Sequence, residues 1–439
     1  MTNTRYSLQK SQLLALVSIL CLLPFLFSAC EDQQIQTITW TEFEPVYMSE
    51  QEFLNSVELQ QPRDLEVPGK IYFYDGYLFV NERNKGVHII DNRDPASPSN
   101  VGFINIPANK DIAVEGENLY ADSQKDLLVF DISDLQNPEL TERIEDVFNT
   151  AANIAPGFTT HNVDQSNGLV VDWKKVEKEE ICEDDCRSHP QWNWRTTGGV
   201  TFDSANSFAA ESGGNGGGVG GSLARFAINN GYLYAVDHTD LITFNIQSGS
   251  TNKINQNSIG WAIETIFPYN DNLFIGSESA MYIYELGDPS APQQLSVYWH
   301  ATACDPVVVE GDYAYVTLRE SERCPQGVNR LEVVDVADLS NPKKAGFYNM
   351  ISPHGLGIDD GRLFVSEGEH GLKIMDATDP LNIQLLRHIE DIEAYDVIPF
   401  NNVLMVTGDT GIIQYDYSDI EDLIHLSTIP VFGTQDENI

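Results

Sequence analysis

An all-β chain is predicted by three observations. Short runs rich in Val, Ile, Tyr and Phe alternate with Gly, Asn and Asp-Pro turns along most of the 439 residues. The same run-and-turn pattern returns about every 40 residues. No stretch beyond a short one near residues 48–58 carries a 3.6-residue amphipathic period. A four-stranded sheet of that size cannot bury both faces alone. Sheets arranged in a ring cover one another and leave only short outer edges. The predicted architecture is therefore a β-propeller of about seven four-stranded blades, with eight as the alternative, and one long insertion.

Charge narrows the function. The chain has 66 acidic and 25 basic side chains and a formal net charge of −41. A phosphate-binding surface needs clustered Lys and Arg, so nucleic acid is excluded as a partner. Electrostatic adhesion to anionic lipid is disfavoured for the same reason. Hydrophobic residues make up 42% and aromatic residues 10%, enough to build a core.

Residues 1–29 read as a lipoprotein signal peptide. Arg5 and Lys10 form a basic start, and the apolar run 13–27 is too short for a good transmembrane span. Phe27-Ser28-Ala29-Cys30 resembles the lipobox of bacterial lipoproteins, although that pattern favours Leu where Phe27 stands. The resemblance implies cleavage before Cys30 and lipid attachment to its sulfur. An ordinary secretory signal is the alternative. Glu31 and Asp32 resemble the surface-export signal of Bacteroidetes-type lipoproteins. The expected address is the cell envelope, as an outer-membrane lipoprotein facing the surface or the periplasm. The membrane is then touched only through the lipid. Loss of residues 1–29 removes Arg5, Lys10 and no carboxylate, so the charge moves from −41 to −43.

Cys182, Cys186, Cys304 and Cys324 remain once Cys21 leaves with the signal and Cys30 carries lipid. An exported chain permits disulfides, and local pairing (182–186 and 304–324) is the simplest of three connectivities. A zinc site at Cys182, Cys186 and His189 is the rival, with loose spacing and one imidazole.

Residues 30–68 are expected to link the anchor to the ring and help close it, 69–431 to form the propeller, and 432–439 to be a tail. The third strands of the repeats read GVHIID (86–91), LLVFDISD (127–134), LITFNI (241–246), MYIYELGDP (281–289), RLEVVDVAD (330–338), GLKIMDATDP (371–380) and IIQYDYSD (412–419). The Asp ending the strand falls at 91, 131, 335, 376 and 416. Its carboxylate is expected to accept backbone N–H bonds in the following turn, a structural duty. HNVDQSNGLVVDW (161–173) looks like the first half of a further blade. After it comes the insertion, about 174–222, with the Gly-rich run 211–221. The ring is expected to close where 423–431 meets 37–48.

GVHIID, LLVFDISD and RLEVVDVAD look like the LVIVD repeat of bacterial and archaeal cell-surface proteins. The longer segments 260–277, 300–324 and 351–376 resemble LVIVD-repeat lipoproteins of Bacteroidetes. The resemblance covers roughly residues 45–430. It implies a propeller-like surface protein and carries no catalytic residues.

In a propeller the first strand of each blade lines the channel. Its start falls at Asp111, His161, Glu264, Asp305, His354 and Asp396, aligned to within one residue. Converging carboxylates and imidazoles could hold Ca²⁺ or another divalent cation, or a polar small ligand. The same residues could instead bond neighbouring loops and channel water. Trp192 and Trp194 in the insertion suggest an aromatic platform for a glycan or peptide, or a cap on the ring's own apolar surface. No HExxH, EF-hand loop, GxSxG or phosphate loop is present. The sequence thus favours a lipid-anchored binding or assembly module for an unknown envelope protein, glycan or small ligand. An extracytoplasmic enzyme at the channel mouth, metal-dependent or not, and a purely structural envelope component are the alternatives.

Overall fold

The structure, a computed structural model, describes residues 36–149, 163–182, 219–220, 222, 224–247, 249–301, 306–320 and 327–432. Residues 42–176 and 200–439 form one compact unit, and 1–41 with 177–199 form a second. The described part of the second consists of the ends of two strands, Gln36–Met48 and Leu169–Cys182, which pair as a two-stranded sheet.

The larger unit holds seven antiparallel blades. Blade 1 is Pro68–Tyr74, Tyr77–Glu82, Gly86–Asp91 and Ser99–Asn105; blade 2 is Ile112–Glu115, Asn118–Ser123, Asp126–Asp131 and Glu139–Ile144. Blade 3 is Phe226–Asn229, Tyr232–Val236, Asp240–Asn245 and Asn252–Ser258; blade 4 is Ile263–Tyr269, Asn272–Ser277, Ala280–Glu285 and Gln293–Trp299. Blade 5 is Val307–Glu310, Tyr313–Leu318, Arg330–Asp335 and Lys343–Asn349; blade 6 is Leu356–Asp359, Arg362–Ser366, Leu372–Asp376 and Gln384–Ile389. Blade 7 is Asp396–Phe400, Val403–Gly408, Gly411–Asp416 and Ile424–Pro430. First strands of successive blades neighbour each other, so they line the axis. The fold is a seven-bladed β-propeller.

Local sequence explains the blades. Asp75-Gly76, Asn230-Gly231, Asp360-Gly361 and Asn401-Asn402 join first to second strands with positive φ at both residues. That is the two-residue hairpin turn whose twist matches the strands, and it requires Gly, Asn or Asp. The third-strand Asp residues behave as expected. Arg93, Ser133, Ala337, Thr378 and Ser418 donate backbone N–H bonds of 2.8–3.2 Å to Asp91, Asp131, Asp335, Asp376 and Asp416. A second carboxylate three residues on, at Asp94, Asp134, Asp338, Asp379 and Asp419, accepts the N–H two positions later. Each pair therefore shapes the bend into the fourth strand. Every blade also shifts register between its third and fourth strands, as at Ile89/Ile90 and Val333/Val334. Such bulges increase twist toward the outer edge.

The core lies between blades. Phe267, Phe274 and Met281 of blade 4 pack with Val307, Val309 and Tyr315 of blade 5, and the same cluster reaches Leu356 and Leu363 of blade 6. Leu65 joins Ile71, Leu78 and Ile90 of blade 1 to Ile398, Met405 and Ile412 of blade 7. The one-turn helix Glu50–Asn55 is capped by reciprocal Ser49 and Glu52 bonds and buries Phe53 against Ala108 and Val171.

Two expectations are corrected. The 161–173 segment begins no eighth blade, because Leu169–Cys182 pairs with Gln36–Met48 and not with a blade. Among the described residues no strand pairing joins 37–48 to 423–431. Closure falls on Leu65, which bridges Val431 in parallel and accepts the Phe432 N–H at 2.7 Å. The end of the insertion also returns inside the ring: Val219 and Gly220 pair with Phe73 and Tyr72 on the axial edge of blade 1.

Candidate functional site

Strand register identifies the residue at each channel entrance. Ile71, Ile112, Phe226, Ile266, Val307, Leu356 and Val397 pair with equivalent positions of their second strands. The residues one step before them are Lys70, Asp111, Arg225, Thr265, Pro306, Gly355 and Asp396. Of the sequence candidates only Asp111 and Asp396 hold this position. Glu264 and His354 precede it by one residue, Glu264 at a bulge and His354 ahead of its strand. His161 and Asp305 lie outside the described residues, and the third blade is entered through Arg225.

The entrances therefore mix signs. Lys70 Nζ bonds Asp111 Oδ2 at 3.0 Å across blades 1 and 2, with both side chains nearly fully buried. Asp111 Oδ2 also accepts the backbone N–H groups of Arg225 and, at 3.1 Å, Phe226. Asp111 Oδ1 accepts its neighbour Ile112 N–H at 2.8 Å. This carboxylate is thus taken up in joining blades 1, 2 and 3. Burial pulls the Lys70 ammonium below its ordinary range, and Asp111 opposes that pull. Asp122, buried beneath, accepts N–H bonds from Lys110, Asp111 and Asn109 at 2.7–2.9 Å.

Asp396 is the exception. It is buried, and its Oδ1 has no hydrogen-bond partner. Burial pushes its carboxyl well above the usual range, with Lys70 and the Ser222 hydroxyl pulling the other way. Ser222 also accepts the Leu356 N–H at 3.1 Å. Val219, Gly220, Ser222, Arg225 and Phe226 therefore bond to blades 1, 2, 6 and 7 along the inner strands.

His354 is buried beside Tyr395, ring to ring at 5.2 Å and 75°. Its Nδ1 bonds the Ser352 carbonyl at 2.8 Å and its Nε2 has no partner. Burial first, and then the Arg319 charge, bring its imidazole down to about 3. Glu264 lies at the bulge that opens blade 4. Among the described residues no three His, Cys, Asp or Glu side chains assemble into a group able to hold a metal ion. The Ca²⁺ ring expected from the entrances is not formed by Asp111, Glu264, His354 and Asp396. Cys30, Cys186, Cys304, Cys324, His189, Trp192 and Trp194 lie outside the described residues, as does the side chain of Cys182.

Sequence reasoning missed Lys70, Arg225 and Ser222. Lys70 stands before IYFY as Asp111 stands before IAVE, so aligning first strands could have found it. It also missed a buried lock inside blade 1. His88 Nε2 meets Glu82 Oε2 at 2.6 Å while Asn100 donates to His88 Nδ1 at 3.1 Å, which places the imidazole proton toward Glu82. Glu367–Lys373 in blade 6 at 2.9 Å and Glu332–Lys344 in blade 5 at 2.6 Å do similar work, so the motif is structural.

Residues 69–105, 108–146 and 302–350 match the LVIVD repeat family, and these are blades 1, 2 and 5. The chain is therefore a β-propeller that carries LVIVD repeats. No curated protein matches it. Among solved structures it is similar to the computationally designed Ika8 protein, at 9% identity and TM-score 0.49, over 87% of this chain and 92% of that one. It is similar to BamB from Moraxella catarrhalis at 7% identity and TM-score 0.46, over 86% and 97%. A third is Sqt1 from Saccharomyces cerevisiae, at 10% identity and TM-score 0.47, over 83% and 86%.

Proposed function

We propose that this chain is a lipid-anchored, extracytoplasmic propeller that works as a binding or assembly module of the cell envelope. One observation carries the reading. Val219, Gly220, Ser222 and Arg225 of the chain itself lie along the axis, and the entrance carboxylate of Asp111 is taken up in holding the Arg225 and Phe226 backbone and Lys70. A reaction at the channel mouth would need groups free to meet a substrate. The outer faces of a rigid ring are what such a fold offers to a partner.

Affinity capture from envelope extracts tests this, with the full chain and an Asp396→Asn variant. Saturable capture of a partner that survives the substitution supports a binding module. Turnover of an envelope glycan, or capture lost with Asp396 at unchanged melting temperature, returns the chemistry to the channel and overturns it. The anchor has its own test. Cys30→Ser should move the chain from the membrane to the soluble fraction.

A further inference from the structure

We infer that the seam between blades 3 and 4 binds a cationic segment of another protein, held by Trp261 and Trp299. The inference deepens the binding-module reading and rests on it. Trp261 lies in the connector between the two blades, and Trp299 ends the outer strand of blade 4. The two indoles are 68% and 67% exposed, the most exposed large apolar side chains in the described residues. Large rings left in water mark an interaction surface.

The indoles belong to one built feature. Tyr282, 8% exposed, packs in the core shared by blades 3 and 4. Its ring is 6.5 Å from that of Trp299, at 66°. Trp299 pairs with Ala280, so it projects on the same side of the blade as Tyr282. On the other flank the Tyr282 hydroxyl comes so near Gly260 that a Cβ there would stand 2.6 Å from it. Gly260 thus lets the connector close over the phenol one residue before Trp261. His238, from the turn between the second and third strands of blade 3, meets Trp261 edge-on at 4.5 Å and 74°. Two ring pairs thus stand at the seam, His238 with Trp261 on the connector and Tyr282 with Trp299 on blade 4.

The charge around these rings selects the occupant. Stretches 237–241, 259–264, 277–282 and 298–301 contain the partly exposed Asp240, Glu264 and Glu278, the buried Asp237, and no Lys or Arg, while Arg330 of blade 5, near Tyr298, is paired with Glu332. The whole chain adds a net charge of −41. Indole faces attract cations through their quadrupole, and a carboxylate field reinforces that attraction. An anionic ligand is repelled by both. A neutral sugar would use the rings and gain nothing from the field. A segment bearing Lys or Arg uses both, and the planar guanidinium also stacks.

Titration of the full chain with an octa-arginine peptide, at two salt concentrations, tests the inference, with cellohexaose as the neutral control. The peptide is expected to bind, and Trp261→Ala with Trp299→Ala to weaken it at least tenfold at unchanged melting temperature. Trp261→Phe with Trp299→Phe should keep most of the affinity. If the double alanine variant loses its fold, each single substitution carries the same comparison. Equal affinity in wild type and alanine variants means diffuse attraction to an acidic protein and overturns the proposal. Indole-dependent binding of cellohexaose without the peptide overturns it in favour of a glycan platform. Envelope capture that persists in the alanine variants sinks this site alone, and absence of any capture sinks the binding-module reading as well.

Discussion

His354 shows how one buried side chain sets the response of the ring to acid. In the fold its imidazole is brought down to about 3 by burial and by Arg319, against 6.5 for an exposed histidine. The folded state therefore resists protonation that the unfolded chain accepts. The histidine contributes fully above 6.5, and its contribution shrinks as pH falls toward 3. His354→Gln is expected to flatten the pH dependence of the urea midpoint between those limits, removing a change on the order of 5 kcal/mol in total. An unchanged slope would show that other groups cause it. Residues differ in how legible they are. Asp131 and Asp376 could be assigned to turns from sequence because donor and acceptor are two positions apart. Lys70 and Asp111 are 41 positions apart, and Asp111 and Arg225 are 114 apart, so only the closed ring reveals that they meet.

The repeated bend between third and fourth strands is the element-scale counterpart. Asp376 accepts both the N–H and the hydroxyl of Thr378, at 3.0 and 2.6 Å, and these bonds hold its carboxyl below the usual range. A depressed carboxyl stabilises above its unfolded value of 3.8, and that share is lost as pH falls through the folded value. Asp376→Ala should lower the melting temperature at neutral pH and Asp376→Asn should restore most of it, since an amide oxygen also accepts. Scanning calorimetry of both variants checks this, and equal melting of all three proteins would remove the turn from the account. Strands, hairpins and these bends were readable because each follows from a few adjacent residues. The 161–173 segment reads as blade material because Leu169–Val171 has blade composition, while the partner of the strand it opens, Gln36–Met48, is distant in sequence.

At the scale of the molecule, closure rests on packing as much as on strand pairing. Leu65 is buried between blades 1 and 7 and its carbonyl receives the Phe432 N–H. Leu65→Ala should cost about 2–5 kcal/mol, read as a lower urea midpoint, because the cavity opens where the ring meets itself. Leu59→Ala, at an exposed site on the strand Glu58–Gln60 added outside blade 1, should stay within about 0.5 kcal/mol. Equal costs at the two sites would mean that the seam carries no special share of stability. The excess of carboxylates also reads differently at this scale. Several are turn formers, Asp111 joins blades, and Glu82, Glu332 and Glu367 lock blade interiors.

The axial segment has one further consequence. Blades 1 and 2 precede the insertion and blades 3 to 7 follow it. Asp111 on the first part grips the backbone of Arg225 on the second, Gly220 pairs back onto Tyr72, and Leu65 grips Phe432 at the other seam. The two parts are fastened to each other at both junctions by contacts that need no continuous backbone. A chain severed between residues 183 and 218 would remain one particle, its halves parting only when the propeller itself is unfolded.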